Sequence, residues 1–110
     1  MNKGSDAQNE TLEGYVVDLI CLRRYRQDEL LERAREHTRA CALKGHCVES
    51  GYGLVGNDGR LSLLDPDATP QIVGAAQHSE REQGLRVRVT RERQDGEMHT
   101  TRVEEVPGSA

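Results

Sequence analysis

The sequence of 110 residues contains no tryptophan and no phenylalanine, and only three tyrosines. Aromatic side chains usually supply much of the apolar area that a small domain buries. The core must therefore be built from leucine, valine and alanine, which is marginal for a chain of this size. Small domains of this kind commonly gain stability from a metal ion, a disulfide or a partner subunit. A metal site, a disulfide bond and a homo-oligomer are therefore three alternatives for this chain.

The chain also lacks an excess of basic residues, because fifteen lysines and arginines stand against nineteen acidic residues and give a net charge of −4. Proteins that bind nucleic acid need a basic surface that displaces counterions from phosphates, and single strands also need stacking aromatics. Nucleic acid is therefore a disfavoured partner. A protein or a small molecule is the favoured kind of partner.

Long apolar runs are absent as well. No stretch of about 18 apolar residues occurs, so the sequence predicts no membrane-spanning helix. Residues 1 to 14 lack the apolar centre of a signal peptide. We therefore expect a cytoplasmic protein, with the mature form of a periplasmic or secreted protein as the alternative.

Polar composition without periodicity predicts a disordered arm at residues 1 to 12 and a loose tail at residues 107 to 110. Residues 13 to 106 between them form one predicted domain. The β-branched run from Gly14 to Leu22 predicts the first strand, and Asp18 is the one charge inside it. A charge in such a strand is expected to be at the rim or paired, by hydrogen bonds to nearby main chain or by an arginine, with a metal or catalytic role as the alternative.

The segment after the first strand predicts a long helix. Residues Gln27 to Lys44 have helical composition, and Asp28 and Glu29 lie at the end where the helix dipole favours negative charge. Gly45 is expected to end this helix in a left-handed conformation. A second, shorter helix is predicted over residues 68 to 80.

Turn signals divide the remaining chain into four short strands, at residues 52 to 56, at 60 to 64, from Leu85 to an Asp95-Gly96 turn, and at 97 to 105. Together with the first strand they predict a mainly β fold with helical insertions, of the α+β class. The expected architecture is a small, five-stranded, partly open barrel of the oligonucleotide/oligosaccharide-binding (OB) type. Its distinctive feature is the long helix after the first strand.

All three cysteines and two of the four histidines fall between residues 21 and 47. On a helix, His37 and Cys41 are four residues apart and share a face. With Cys21 and Cys47 they form a set that suits tetrahedral zinc, with copper(I) as the soft-ligand alternative. His46 competes with His37 as the nitrogen ligand. The spacing C-x19-C-x5-C lacks the close C-x2-C pair that makes zinc motifs specific.

Other roles for these residues stay open. Any two of the three cysteines could form a disulfide, leaving one free thiol, and the spacing does not select the pair. Free cysteine is also a common core residue, and His37 could be a satisfied residue at a helix surface. Cys41, His37 and Asp18 could act as nucleophile, base and orienting group. An enzyme is nevertheless disfavoured because no oxyanion loop or cofactor fingerprint accompanies them.

The segment from Gly14 to Cys21 reads G-x-V-x-D-x-x-C, and it is followed by His37, by Cys41-Ala42, by Cys47 and by Gly51-Tyr52-Gly53. In this pattern the chain resembles a group of small, largely uncharacterised bacterial domains related to the OB fold. The resemblance implies the barrel and a Cys/His cluster, and no particular activity. Such domains usually carry an export signal and a methionine near position 44, where this chain has lysine. The lysine argues against copper.

The sequence therefore predicts a small accessory protein that binds a transition metal through Cys21, His37, Cys41 and Cys47, with His46 as a further candidate ligand. The alternative is a binding module, stabilised by thiols or a disulfide and free of metal, for a protein or small-molecule partner.

Overall fold

The computed structural model describes residues 9 to 106. Residues 9 to 12, which were expected in the disordered arm, form the start of the first strand. Residues 1 to 8 of that arm and the predicted tail at 107 to 110 lie outside the described residues. Between residues 9 and 106, no helix is long and apolar enough to cross a membrane.

Five strands and five α-helices occur in the described part of the chain, together with a 3-10 turn at Gln27–Glu29. In chain order they are β1 (Asn9–Asp18), α1 (Leu19–Leu22), α2 (Leu30–Glu36), α3 (Arg39–Ala42), α4 (Gly45–Ser50), β2 (Tyr52–Val55), β3 (Leu61–Leu63), α5 (Ala68–His78), β4 (Arg86–Gln94) and β5 (Glu97–Glu105).

The strands form one antiparallel sheet in the order β3-β2-β1-β4-β5. β1 lies at the centre because its residues 9 to 15 pair with β4 on one side and its residues 15 to 18 pair with β2 on the other. The predicted hairpin between β4 and β5 is confirmed. Asp95 and Gly96 have φ values of 53° and 84°, the left-handed conformation that a tight two-residue turn requires.

The predicted α+β class with five strands is confirmed, but the predicted barrel is wrong because the sheet stays open, with β3 and β5 as its two edges. α5 follows β3 and packs against β5. Side chains bridge the gap. Nη1 of Arg91 on β4 donates to the carbonyl of Leu63 on β3 at 3.2 Å.

The predicted long helix from Gln27 to Lys44 is also wrong. The chain leaves the helical conformation at His37, whose ψ is 130°, and at Thr38, whose ψ is 150°. The cause is a segment distant in sequence. Residues just before β4 form hydrogen bonds with the main-chain groups at this break. Gly84 N–H donates to the His37 carbonyl at 3.0 Å, and Arg39 N–H donates to the Glu82 carbonyl at 2.8 Å.

Gly45 does not act as the predicted left-handed cap. It is the first residue of α4, and Lys44 before it is the N-cap with an extended conformation. The region between the first two sheet strands is therefore four short helices and a 3-10 turn. Each helix is too short to be stable alone, so its position depends on packing against the sheet.

Two small cores cover the two faces of the sheet. On one face α5 packs through Ile72 and Ala76 onto β1, β2 and β4, among the residues Val16, Leu54, Val87 and Val89. On the other face α2 packs through Leu30 and Ala34 onto Val17 and Val55. The four short helices α1 to α4 follow the end of β1 in the chain. The three cysteines and His37 lie in this helical region.

Candidate metal centre

Asp18 ends β1 and caps the helix that follows it. Its side-chain oxygen Oδ2 accepts a hydrogen bond from the Cys21 N–H at 3.0 Å, the standard role of aspartate at a helix N-cap. The cap fixes α1, and therefore Cys21, relative to the sheet. The Asp18 side chain itself has no exposed surface. The charge that the sequence placed inside the first strand thus lies at its end and is fully buried.

His37 reaches Asp18 from the end of α2. Its Nε2 lies 2.9 Å from the Asp18 Oδ1, and only 3% of the imidazole is exposed. The orientation follows from the helix break, because the His37 carbonyl is held by Gly84 N–H on one side of the chain. The predicted pairing of Asp18 is therefore confirmed, and histidine is its partner.

Cys41 lies on α3, which starts at the same break. The Thr38 hydroxyl oxygen accepts a hydrogen bond from the Cys41 N–H at 3.1 Å and caps this helix. The Cys41 Sγ lies 3.7 Å from the Sγ of Cys21. The sequence predicted that His37 and Cys41 share one helix face, and this is wrong. The two side chains come together from two consecutive elements.

One donor atom from each of four residues lies within 4.8 Å of all the others, and the four residues are Asp18, Cys21, His37 and Cys41. One carboxylate, one imidazole and two thiols are a donor set that zinc binds in proteins. Three of these residues are predicted ligands. The fourth, Asp18, replaces Cys47 in the set.

Cys47 and His46, the remaining predicted ligands, differ in position. Cys47, on α4, is 2% exposed. Asp18 and Cys41 lie close enough to its thiol to raise the pKa of Cys47. It therefore borders the four donor atoms without belonging to them. His46 is exposed, and it is not one of the residues whose donor atoms converge.

The Asp18 carboxyl is ionised at neutral pH. Burial alone raises its pKa, but the hydrogen bond from His37, the Cys21 N–H and the charge of His37 together lower the pKa to about 2. With Asp18 ionised, Nε2 of His37 carries the hydrogen and donates it. The cluster therefore contains a buried carboxylate, an oxygen ligand of the kind that zinc binds.

The pKa values of two thiols are raised, whereas that of Asp18 is lowered. Burial, the neighbouring Cys41 thiol and the charge of Asp18 raise the pKa of Cys21 to about 12. Burial and Asp18 raise the pKa of Cys47 to about 11. Both thiols are therefore protonated at neutral pH, and a protonated thiol is a weak nucleophile.

Tyr52 was not among the predicted site residues, yet it supports the cluster. Its buried hydroxyl donates to the Ala42 carbonyl at 2.5 Å, which ties the end of α3 to β2. Ala42 follows Cys41 directly, so this bond holds the Cys41 main chain. The one signal in the sequence is the tyrosine between two glycines after Cys47, because a strand residue with small neighbours leaves room for close packing.

A second group of possible donors lies between β3 and β5. Nδ1 of His99 lies 2.7 Å from the Asp67 Oδ2, and both oxygens of Asp65 accept bonds from Thr100, at 2.7 and 2.8 Å. These carboxylates are largely satisfied by the protein. The group therefore acts as a link between the two sheet edges.

Neither a family model, nor a curated protein, nor a solved structure matches this chain.

Proposed function

We propose that this domain binds one zinc ion through Asp18, Cys21, His37 and Cys41. The observation that carries the proposal is the convergence of the four donor atoms within 4.8 Å. The donors come from the end of β1, from α1, from the end of α2 and from α3. Four separate backbone positions, two of them set by helix caps, supply the donors.

The separation of the two sulfur atoms supports a tetrahedral ion. In a tetrahedral site with zinc–sulfur bonds of about 2.3 Å, two sulfur ligands lie about 3.8 Å apart. The Sγ atoms of Cys21 and Cys41 lie 3.7 Å apart. An ion can therefore sit between them without a change in their separation.

Charge also supports a cation. Hydrogen bonds from one imidazole and one main-chain N–H hold the buried Asp18 carboxyl in its ionised form, which is the form that binds zinc. A zinc ion would neutralise Asp18 and the thiolates that form when Cys21 and Cys41 lose their protons. His37 would then give a ring nitrogen to the ion as the fourth ligand.

Zinc is favoured over copper(I) by the chemistry of the donors. Copper(I) prefers sulfur ligands, whereas zinc accepts carboxylate, imidazole and thiolate together. Copper(I) would instead recruit the third thiol, Cys47. The two ions can be separated by substitution, because zinc binding depends on Asp18 and copper binding depends on Cys47.

The resemblance of residues 14 to 53 to a bacterial domain group with a Cys/His cluster agrees with this proposal. The expected role is that of an accessory protein and not of an enzyme. The raised pKa values of Cys21 and Cys47 make these two thiols weak nucleophiles.

The test is native mass spectrometry of the protein purified without chelators, followed by a zinc titration against a chromogenic chelator. We expect one zinc ion per chain in the wild type. His37→Ala and Cys41→Ser are each expected to lower zinc affinity by about 100-fold or more. His46→Ala is the matched control, because it removes an exposed imidazole near the cluster and should leave affinity unchanged.

Two results would contradict the proposal. One is a protein that takes up no zinc although all three thiols are reduced. The other is zinc affinity that His37→Ala and Cys41→Ser leave at the wild-type level. If the protein binds a copper(I) ion that Cys47→Ser loses and Asp18→Asn keeps, the site would be assigned to copper and not to zinc.

A second function is favoured by the same sulfur contact. At 3.7 Å the thiols of Cys21 and Cys41 are close enough to form a disulfide after a small shift. Oxidised glutathione would accept the two electrons and two protons that the thiols lose. The chain would then be about 2 Da lighter, with Cys47 as its one free thiol. A disulfide present in the purified protein would place this domain among thiol-stabilised binding modules.

A further inference from the structure

β3 is an edge strand with main-chain groups turned away from the sheet. Gly56 N–H donates to the Arg60 carbonyl and Leu64 N–H donates to the Tyr52 carbonyl, so residues 60 and 64 face β2. Because hydrogen bonding alternates along an antiparallel strand, Leu61 and Leu63 direct their main-chain groups outward. The Leu63 carbonyl already accepts a hydrogen bond from the Arg91 side chain. The outward N–H groups of Leu61 and Leu63 and the Leu61 carbonyl can therefore pair with another strand.

The same two residues are the large hydrophobic side chains that lie exposed on the described surface. Leu61 is 40% exposed and Leu63 is 59% exposed. They lie on the sheet face that α1 and α2 cover over β1 and β2, but the cover ends before β3. A groove results, which we call the β3 groove, and it is lined by Leu19, Leu22, Arg23, Leu61 and Leu63.

Gly53 forms the floor of the β3 groove. A Cβ at this position would lie 3.0 Å from Cδ1 of Leu61 and 3.1 Å from Cδ1 of Leu22. The absence of a side chain lets the two leucines approach each other over β2. The apolar surface is therefore continuous from α1 to the edge of the sheet.

Positive charge borders this apolar surface. Arg23 lines the β3 groove, and Arg24, the next residue in the chain, is exposed. Between residues 9 and 106, neither arginine forms an ion pair, whereas the next one, Arg26, pairs with Asp28. Free cations on a chain with a net charge of −4 attract an acidic partner locally.

We propose that the β3 groove binds an extended acidic segment of a partner protein, which adds to β3 as a further strand. Strand addition at a sheet edge gains affinity from main-chain hydrogen bonds and specificity from alternate side chains. Here apolar side chains of the partner would contact the four leucines of the groove. Acidic side chains would pair with Arg23 and Arg24. The proposal does not depend on zinc, because none of the groove residues is a proposed ligand.

Other occupants fit less well. Residues 1 to 8 and 107 to 110 of the chain, Met-Asn-Lys-Gly-Ser-Asp-Ala-Gln and Pro-Gly-Ser-Ala, lack the alternating large apolar residues that the groove requires. A second copy paired through β3 would bring Arg23 and Arg24 of both copies to one interface, where like charges repel.

The test uses a fluorescein-labelled peptide with a Val-Ser-Glu-Ser repeat, which places valine and glutamate on the same face of an extended strand. Fluorescence anisotropy measures its binding to the full chain. We expect a dissociation constant on the order of 10 to 100 μM, which weakens as salt is added. Leu63→Ser and Arg23→Glu are each expected to weaken binding by about tenfold. Arg93→Glu, an exposed charge reversal on β4, is the matched control and should have a smaller effect.

Two altered peptides test the binding mode. A peptide with lysine in place of glutamate should bind at least about tenfold more weakly, because it opposes Arg23 and Arg24. A peptide with N-methyl groups on alternate main-chain nitrogens should lose binding, because it cannot complete the ladder with β3.

Several outcomes would overturn the proposal. They are absence of binding at about 1 mM peptide, equal binding of the lysine peptide, or Leu63→Ser binding as tightly as the wild type. Sedimentation that shows a dimer which Leu63→Ser dissociates would assign the β3 groove to a second copy. Circular dichroism of each variant checks that the fold is kept, which is expected because Leu63 and Arg23 are exposed.

Discussion

Nε2 of His37 lies 2.9 Å from Oδ1 of Asp18, although the two residues are 19 positions apart in the sequence. The other oxygen of Asp18 accepts the Cys21 N–H. One buried carboxylate therefore joins the end of α2 to the start of α1. Since both helices also carry or adjoin a cysteine of the cluster, Asp18 organises the site even without a metal ion.

Replacement of Asp18 by asparagine should therefore destabilise the fold. The amide keeps one acceptor oxygen for the Cys21 N–H, and its neutral NH2 group replaces the carboxylate oxygen that faces the His37 Nε2. Loss of a buried hydrogen bond to a charged group costs about 1 to 3 kcal/mol. We expect the free energy of unfolding to fall by about that amount. Urea unfolding with excess chelator measures it without a contribution from metal.

Asp28→Asn is the control for this experiment. Asp28 lies in an exposed ion pair with Arg26, and such pairs contribute little to stability. Its free energy of unfolding should stay within about 0.5 kcal/mol of the wild-type value. If Asp18→Asn were equally mild, the Asp18 to His37 bond would not organise the cluster.

Patterns with a local cause were readable in the sequence. Leu85, Val87 and Val89 alternate with polar residues, and all three are buried. The Asp95-Gly96 turn was readable because few residues adopt a positive φ. Asp18 stood out as one charge in an apolar strand, which predicted that it would be paired.

Features with a distant cause were not readable in the same way. The break between His37 and Arg39 is held by Gly84 and Glu82, and helix propensity contains no information about those partners. Cys21, His37 and Cys41 lie close together, as the sequence predicted, and metal binding by them stays a prediction. Their arrangement was wrong, because the break places His37 and Cys41 on different elements and brings Asp18 into the set.

The hydrogen bonds between Asp65 and Thr100, which link the two sheet edges, predict that stability depends on pH. Burial raises the pKa of Asp65, but hydrogen bonds from the Thr100 hydroxyl and N–H outweigh burial and lower it below 3.8. A lowered folded-state pKa means that ionised Asp65 stabilises the fold above pH 3.8. This stabilisation is lost as pH falls below 3.8 through the folded-state value.

Asp65→Asn should remove this part of the dependence. Thermal unfolding between pH 3 and 6, with chelator present, is expected to show a smaller loss of stability on acidification in the variant than in the wild type. Asp58→Asn is the control, since Asp58 is exposed in a weak ion pair with Arg60. Identical pH profiles for Asp65→Asn and the wild type would contradict the assignment to Asp65.

Two glycines should respond to alanine in opposite directions. At Gly14 a Cβ would lie 2.7 Å from the Val55 carbonyl oxygen of β2, next to the first residue pair of β1 and β2. Main-chain atoms of Val55 cannot move away easily, so Gly14→Ala should destabilise by about 1 to 3 kcal/mol. Gly74 lies inside α5, and a Cβ there has no heavy atom within 4 Å.

Gly74→Ala should therefore stabilise the protein by about 0.5 to 1 kcal/mol, because alanine loses less conformational freedom in a helix. Thermal or urea unfolding of both variants gives the comparison. A stabilised Gly14→Ala variant would mean that β1 and β2 are less close than the structure shows.

Tyr52→Phe should weaken both the fold and the zinc site. The change leaves the ring in place but removes the donor to the Ala42 carbonyl. Loss of this buried bond is expected to lower stability by about 1 to 2 kcal/mol. Zinc affinity should fall by about tenfold, because supporting residues of a metal site commonly have effects of that size.

Tyr15→Phe is the control, since its ring lies beneath Arg35 on the other face of the sheet. It should leave zinc affinity unchanged. If Tyr52→Phe kept full affinity, the position of Cys41 would be set by the Thr38 cap alone.

Zinc binding should depend steeply on pH. Burial and neighbouring groups raise the pKa of Cys21 to about 12, so this thiol keeps its proton at every pH between 6 and 8. Zinc must displace that proton, and each displaced proton changes the apparent affinity about tenfold per pH unit. We therefore expect the affinity to rise at least about tenfold per unit from pH 6 to 8. Isothermal titration in two buffers of different ionisation enthalpy counts the protons released. Cys21→Ser should show a flatter profile as well as weaker binding, whereas a wild-type affinity independent of pH would exclude Cys21 as a thiolate ligand.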